Sequence, residues 1–261
     1  MKPDYKNWVP DILVYGLAGA FIVALILFFV TEAMFQGNLK TVFQIVTGIG
    51  AIILAFFSAW MKILHDTFDY NGKRKLSKTI IEGVSDYVHL TEGGKGLDVG
   101  CGSGALTIAC ARKNPSAKMT GCDIWSGAYK TVFTKELCYM NAKAEGVNNV
   151  EFVEGNAIKL PFEDESFDAV TSNYVYHNIS GHNKQELLTE TLRVLKKGGT
   201  FAIHDLMTNM RYGDMKQFVN KLREEGYEEV RLIDTADGVF IKKNEAKWLD
   251  LAGSTLLVGK K

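Results

Sequence analysis

The sequence predicts an α/β fold: a doubly wound, mostly parallel, seven-stranded sheet, preceded by a hairpin of two transmembrane helices. Three observations carry that prediction. Two long uncharged stretches lie within the first 65 residues. Beyond them short apolar strands alternate with amphipathic helical segments, and a glycine cluster, Gly-Cys-Gly-Ser-Gly at 100–104, falls between the first strand and the helix after it. Strands alternating with helices run parallel and are joined by right-handed crossovers, which puts helices on both faces of one sheet.

The first element is the hairpin. Residues 12–30 and 41–61 contain no charged residue. At a rise of about 1.5 Å per residue, spans over about 12–30 and 41–63 each cross a hydrocarbon core of roughly 30 Å. A cleaved signal peptide fits poorly, because the first run is long, lacks a small-residue cleavage site and is followed by a second span. Residues 36–41 join the spans and are few enough to leave both chain ends on one side. Lys2 and Lys6 precede the hairpin and Lys62, Lys73, Arg74, Lys75 and Lys78 follow it, whereas the connection holds only Lys40. The positive-inside rule then places both termini, and the domain that follows, in the cytoplasm, at the cell membrane. The basic cluster after the second span reads equally as a contact for anionic headgroups or as a solvated first turn of the next helix. The chain therefore divides into a membrane hairpin, 1–65, and a soluble domain, 66–261.

Charge and cysteines exclude several classes. Thirty Lys and Arg balance thirty Asp and Glu, so no basic footprint marks a nucleic-acid partner. Cys101, Cys110, Cys122 and Cys138 form no C-x-x-C pair or Cys/His cluster, so neither a metal site nor a disulfide framework is expected. Three of them sit in or beside predicted core elements and read as small buried apolar residues, in a reducing compartment.

The remaining elements follow in order. Residues 75–88 place Leu76, Ile80, Ile81, Val84, Tyr87 and Val88 at helical spacing, and Gly93-Gly94 ends that segment. Strands are predicted at 96–99, 118–123, 149–153, 167–172, 200–204, 229–233 and 254–258, with helices at 105–112, 131–145, 184–195 and 214–225. The Lys-Lys-Gly-Gly run at 196–199 reads as a basic last helical turn closed by glycine. A ligand belongs at the carboxyl ends of the strands.

Gly100, Cys101, Gly102 and Gly104 form a turn whose glycines let backbone N–H groups approach a ligand at a helix N-terminus. Gly100, Gly102 and Ala105 also satisfy the dinucleotide pattern, so the loop alone leaves two cofactor classes open. Asp98, two residues ahead, separates them: a carboxylate there repels a pyrophosphate but can receive the α-amino group of a methionine moiety. Asp123 ends the second strand, where a carboxylate can accept both ribose hydroxyls. After the third strand, Asn156 can take an adenine amino group on its side-chain oxygen, and the Ala157 N–H can meet a ring nitrogen. Asn156 reads alternatively as a plain turn residue.

Leu-Asp-Val-Gly-Cys-Gly-Ser-Gly at 97–104, Asp123, Gly-Asn-Ala at 155–157 and Leu-Pro-Phe-Glu-Asp-Glu-Ser-Phe-Asp-Ala-Val at 160–170 together resemble the ordered motifs of class I S-adenosylmethionine-dependent methyltransferases, small-molecule branch, with a methyltransferase type 11-like domain. Leu-Lys-Lys-Gly-Gly-Thr at 195–200 resembles that branch's turn into the fifth strand. The resemblance covers about 75–261 and leaves the hairpin unexplained. It departs at Asn156, where many members carry aspartate. It implies S-adenosylmethionine as cofactor, with Ile124 and Asn173 also beside it, and methyl transfer to a nucleophile as the reaction.

Sulfonium methyl transfer needs in-line positioning, and a base only if the acceptor must lose a proton. Ser-Asn-Tyr-Val-Tyr-His-Asn at 172–178 would open over the methyl group. Tyr174, Tyr176 and His177 are the expected acceptor-pocket residues, with His177 the candidate catalytic base and His204, on the fifth strand, a further pocket residue. Local packing explains each of them as an alternative. Trp125 can pack on the adenosine, or in the core. The expected activity is methyl transfer at a membrane to a small acceptor, either lipophilic or, with the hairpin as a simple tether, soluble. Two alternatives stand: a membrane-tethered S-adenosylmethionine sensor without turnover, and a nicotinamide-dependent oxidoreductase, which Asp98 disfavours. The partners expected are a small-molecule acceptor and the lipid bilayer, with no nucleic acid.

Overall fold

A computed structural model of the chain describes residues 2–126 and 132–261. They form two compact units: Asn7–Ser77, and Lys78–Lys261 together with the first residues of the chain. The break thus falls some twelve residues after the expected one, and residues 2–6 group with the larger unit.

The smaller unit is an antiparallel helical hairpin. Helix α1 spans Asp11–Met34 and α2 spans Gly37–Phe68, so Phe35 and Gln36 alone connect them and the expected longer connection is helical at its far end. Gly37 supplies the left-handed residue (φ 64°) that reverses the chain. Phe35 stacks on Phe43 near the turn (4.9 Å between rings), and Phe28 lies against Gly48, where a Cβ would come within 3.4 Å. Lys40 pairs with Glu32 at the turn end (2.5 Å), and His65 meets Asp11 at the open end (2.9 Å). Both helices are long and apolar enough to cross a membrane, and only 6 % of the most apolar window of each is buried. A soluble protein would bury core helices of this composition.

The break falls near the start of α3 (Leu76–Ser85), whose Ile80 and Val84 are wholly buried. Then follow β1 (Lys95–Val99), α4 (Ala105–Lys113), β2 (Lys118–Asp123), α5 (Lys135–Ala144), β3 (Val150–Glu154) and β4 (Phe167–Asn173). The rest are α6 (Lys184–Arg193), β5 (Leu195–Leu206), α7 (Asn209–Tyr212), α8 (Met215–Glu224), β6 (Glu228–Asp234), α9 (Lys243–Trp248) and β7 (Ser254–Lys260). The sheet order is β3-β2-β1-β4-β5-β7-β6, parallel except for β7, which runs against both its neighbours. The seven-stranded, doubly wound prediction is the observed one.

Two local expectations change. The helix predicted over 131–145 starts at Lys135, capped by the Thr134 hydroxyl, which accepts from the Leu137 N–H (3.1 Å); Thr131 lies outside the described residues. The Lys-Lys-Gly-Gly run at 196–199 is no helix end but the start of β5. The chain terminus holds it there, because Gly198 N–H donates to the Lys261 carbonyl and Lys261 N–H donates to the Gly199 carbonyl. The short helices α7 and α9 carry no sequence periodicity long enough to read.

Leu97, Val99, Val170 and Ile203 face one side of the sheet, packed under Leu187, Leu188 and Leu192 of α6 and Phe218 and Leu222 of α8. Strand alternation sends Asp98 to the other side, beneath α4. Strand order reverses between β1 and β4, where their adjoining crossovers depart in opposite directions and open a crevice beyond Val99 and Ser172. Leu188 is fully buried. Its replacement in L188A should lower the domain's unfolding free energy by about 2–5 kcal/mol, read as a reduced melting midpoint.

Candidate active site

The turn that leaves β1 is built on left-handed backbone. Gly100, Gly102 and Gly104 have φ of 72°, 54° and 82°. At Gly100 a Cβ would lie 2.3 Å from Val175 Cγ2, so only glycine fits, while at Gly102 a Cβ would meet nothing within 4 Å, leaving that face of the turn open. Asp123, at the end of β2, fixes the turn from across the crevice. Its Oδ2 accepts the Gly102 N–H (2.8 Å) and its Oδ1 accepts the Trp125 N–H (2.9 Å). The Trp125 indole N–H and the Cys138 thiol both donate to the Gly102 carbonyl (2.9 and 3.2 Å). Trp125 is thus part of the loop's support. Cys101 points inward and is buried, so only its backbone faces the crevice. All four cysteines are free and buried, and burial pushes the Cys122 thiol up to about 12.

Asp98 lies beneath the turn, 1 % exposed, accepting from the Thr107 hydroxyl (2.6 Å). Burial, chiefly, pushes its carboxyl up to about 7, and the Asp123 charge adds to the rise. A cation placed beside it would be favoured over a second anion. Beyond Asp123, Ile124 is an exposed apolar side chain, 46 % accessible. Asn156 is exposed, and its Oδ1 accepts the Ile158 N–H (2.9 Å) in a local turn, the alternative reading of that residue. Its side-chain oxygen therefore has one lone pair left for an adenine amino group. Ala157 beside it packs partly on the core.

Past β4 the candidate residues separate. Tyr174 and Tyr176, two residues apart, would share a side if the strand continued, but β4 ends at Asn173 and Tyr174 takes a left-handed turn (φ 54°). Tyr176 then swings into the core, with no exposed surface and its hydroxyl 2.6 Å from that of Thr191. His204 is equally buried and uses both ring nitrogens, Nδ1 with Asn173 Oδ1 (2.8 Å) and Nε2 with the Thr235 hydroxyl (2.7 Å). Desolvation pulls its pKa down to about 3. Neither Tyr176 nor His204 lines a crevice, and His204 is no base. Asn173 is occupied in holding it. Tyr174 is tethered through its hydroxyl to Ser254 (2.6 Å), with its ring edge-on to His204 (4.7 Å) and His177 (6.0 Å).

His177 meets a partner that the sequence did not single out. Its Nδ1 lies 2.5 Å from Oδ1 of Asp205, at the end of β5, and its backbone N–H donates to Oδ2 (3.2 Å). Asp205 is fully buried and also accepts from the Tyr212 hydroxyl (2.8 Å) and the Leu206 N–H (2.7 Å). These donors hold its carboxyl below the usual carboxylate range despite burial. An ionised Asp205 only accepts, so Nδ1 of His177 carries the proton and Nε2 is the basic nitrogen. The pairing was legible only as adjacency, since Asp205 follows His204 in a strand end. Among the described residues, no group of three or more His, Cys, Asp or Glu side chains is placed to hold a metal ion.

The reversal of strand order, the open glycine turn and a carboxylate after β2 define a nucleotide-cofactor-binding α/β domain. Residues 97–203 match the family described as a methyltransferase domain. Demethylmenaquinone methyltransferase of Geobacillus stearothermophilus is 37 % identical over 113 residues, covering 43 % of this chain and 45 % of that one. The Staphylococcus aureus protein of the same name is 37 % identical over 110 residues, 41 % of each chain. The chain spans about half the length of the relatives it matches. The cyclase SpnF superposes with a TM-score of 0.55 at 20 % identity, over 74 % of this chain and 85 % of that one. Geranyl diphosphate methyltransferase, in complex with GPP and sinefungin, gives 0.54 at 14 % identity, over 75 % and 82 %. Those superpositions establish the fold alone. The stretch that holds the glycine turn is thus similar to methyltransferase domains in both sequence and fold.

The residues present fit S-adenosylmethionine: an open backbone turn, a buried carboxyl suited to an ammonium, the Asp123 carboxylate at the end of β2 and an exposed apolar Ile124. His204 gives a pH test. Below about 6.5 the unfolded chain takes up a proton that the folded chain refuses until about 3. Stability contributed by neutral His204 is present above that window and is lost as pH falls through it, by up to about 1.4 kcal/mol per unit. Thermal melts of H204Q should show a flatter acid limb than the parent; an unchanged limb would assign the acid sensitivity to other groups.

Proposed function

We propose that the chain is a membrane-anchored enzyme that moves a methyl group from S-adenosylmethionine to a small lipophilic acceptor carrying a weakly acidic proton. The observation that carries this reading is the His177–Asp205 pair at the ends of β4 and β5, two residues on from the Val175 that packs against Gly100 of the glycine turn. A sensor that only binds the cofactor has no use for an oriented base, and an oxidoreductase would need a site that tolerates pyrophosphate above Asp98.

Asp98 would receive the α-ammonium of the cofactor, Asp123 the ribose hydroxyls, and Ile124, Asn156 and Ala157 the adenine, with Gly100, Cys101, Gly102 and Gly104 offering backbone. Asn173 acts indirectly, by holding His204. When bound, S-adenosylmethionine supplies an electrophilic methyl on a sulfonium. Asp205 holds the Nδ1 proton of His177, which directs the Nε2 lone pair outward and stabilises the imidazolium formed when His177 takes the acceptor's proton. Tyr212 holds Asp205, and Tyr174 borders the ring. General-base assistance of this kind contributes about 10²–10⁴-fold, and alignment of the acceptor supplies much of the rest.

The hairpin supports a lipophilic acceptor, because an enzyme tethered to the bilayer meets substrates that partition there. Its flanking charges favour both termini and the methyltransferase domain in the cytoplasm. The similar bacterial proteins are named as demethylmenaquinone methyltransferases, which supports a quinone as the class of acceptor.

Membranes containing the chain, incubated with methyl-labelled S-adenosylmethionine, should pass label into the organic extract. Cofactor binding with no label in any extract would identify a sensor instead. H177A and D205N should each lower kcat by about 10²-fold or more when turnover is followed from about pH 6 to 9. Unchanged turnover across that range would remove His177 from the chemistry.

A further inference from the structure

The first residues of the chain belong to the methyltransferase unit, although seventy residues of hairpin separate them from it in sequence. Their attachment is specific. Asn141 of α5, 1 % exposed, reads the backbone of Asp4 from both sides: its Oδ1 accepts the Asp4 N–H (2.7 Å) and its Nδ2 donates to the Asp4 carbonyl (3.0 Å). The same Nδ2 donates to the Ser103 carbonyl (3.0 Å), and the Ser103 hydroxyl donates to the Tyr5 carbonyl (2.9 Å). Tyr5 is only 4 % exposed, and its hydroxyl donates to Glu145 (3.3 Å). Asp4 caps the end of the segment by accepting the Lys6 N–H (3.2 Å).

Ser103 lies between Gly102 and Gly104, so these bonds act on the cofactor turn itself. Asp123 and Trp125 fix that turn on the Gly102 side, and Ser103 is fixed by Asn141 and the strap. Glycine-rich backbone is costly to order, and a turn without its second clamp samples more conformations. We propose that residues 4 and 5 form a positioning strap that holds the glycine turn in its cofactor-binding form. This rests on the reading that the turn binds S-adenosylmethionine. The strap leads within five residues into α1, so the anchor and the cofactor loop share one short stretch of chain.

Full-length protein in detergent micelles, titrated with S-adenosylhomocysteine, tests this. S103A removes only the hydroxyl bond to the strap, and deletion of residues 2–5 removes the strap itself. The deletion should raise the Kd about tenfold and S103A by a smaller factor, with S103T restoring the parent value. The KM for S-adenosylmethionine should rise in step while kcat at saturating cofactor stays near the parent's, a split that general loss of folding would not produce. Parent protein that binds the homocysteine, together with S103A and deletion variants that bind it equally well, would overturn the strap. Parent protein that fails to bind would overturn the cofactor reading beneath it.

Discussion

Gly100, Gly102 and Gly104 turn the chain through left-handed backbone between β1 and α4, and Asp123 pins that turn by accepting the Gly102 N–H. Every other feature of the site is arranged around it. Val175 fills the space that a side chain at Gly100 would need, which ties the turn to the segment after β4. Asp98 is buried beneath it and Trp125 braces it from outside. The sheet supplies the reason for its position: with β1 between β2 and β4, the turn emerges where the crossovers diverge.

His177, past β4, and His204, within β5, show how neighbouring groups take opposite roles from their surroundings. His204 is desolvated, bonded at both nitrogens and kept neutral, so it serves as a structural hub linking Asn173 to Thr235. His177 keeps 16 % of its side chain accessible and has one nitrogen committed to a buried carboxylate. A buried carboxylate with three further donors is well satisfied and stays ionised, which makes it a firm orienter. The ring beside it is held in one orientation by that carboxylate.

The sheet, its order of elements and the cofactor turn were legible because each rests on local chemistry: strand runs such as 118–123, glycines at required left-handed positions, and a carboxylate at a strand end. Tyr176 was misplaced because period-two spacing holds only within a strand, and the left-handed Tyr174 breaks it one residue past β4. The start of β5 was hidden because Gly198-Gly199 also reads as a helix stop, and its pairing partner, Lys261, lies at the far end of the chain. The His177–Asp205 pair and the strap on Asn141 share that difficulty. They join residues 28 and 137 apart through pairs of hydrogen bonds, which leave no periodic trace.

The central claim is the class of cofactor that the glycine turn receives. The most direct measurement is calorimetric titration of the full chain with S-adenosylhomocysteine and, separately, with NAD. Saturable binding of the homocysteine with no response to NAD is the predicted result. Tight NAD binding with no response to the homocysteine would contradict it.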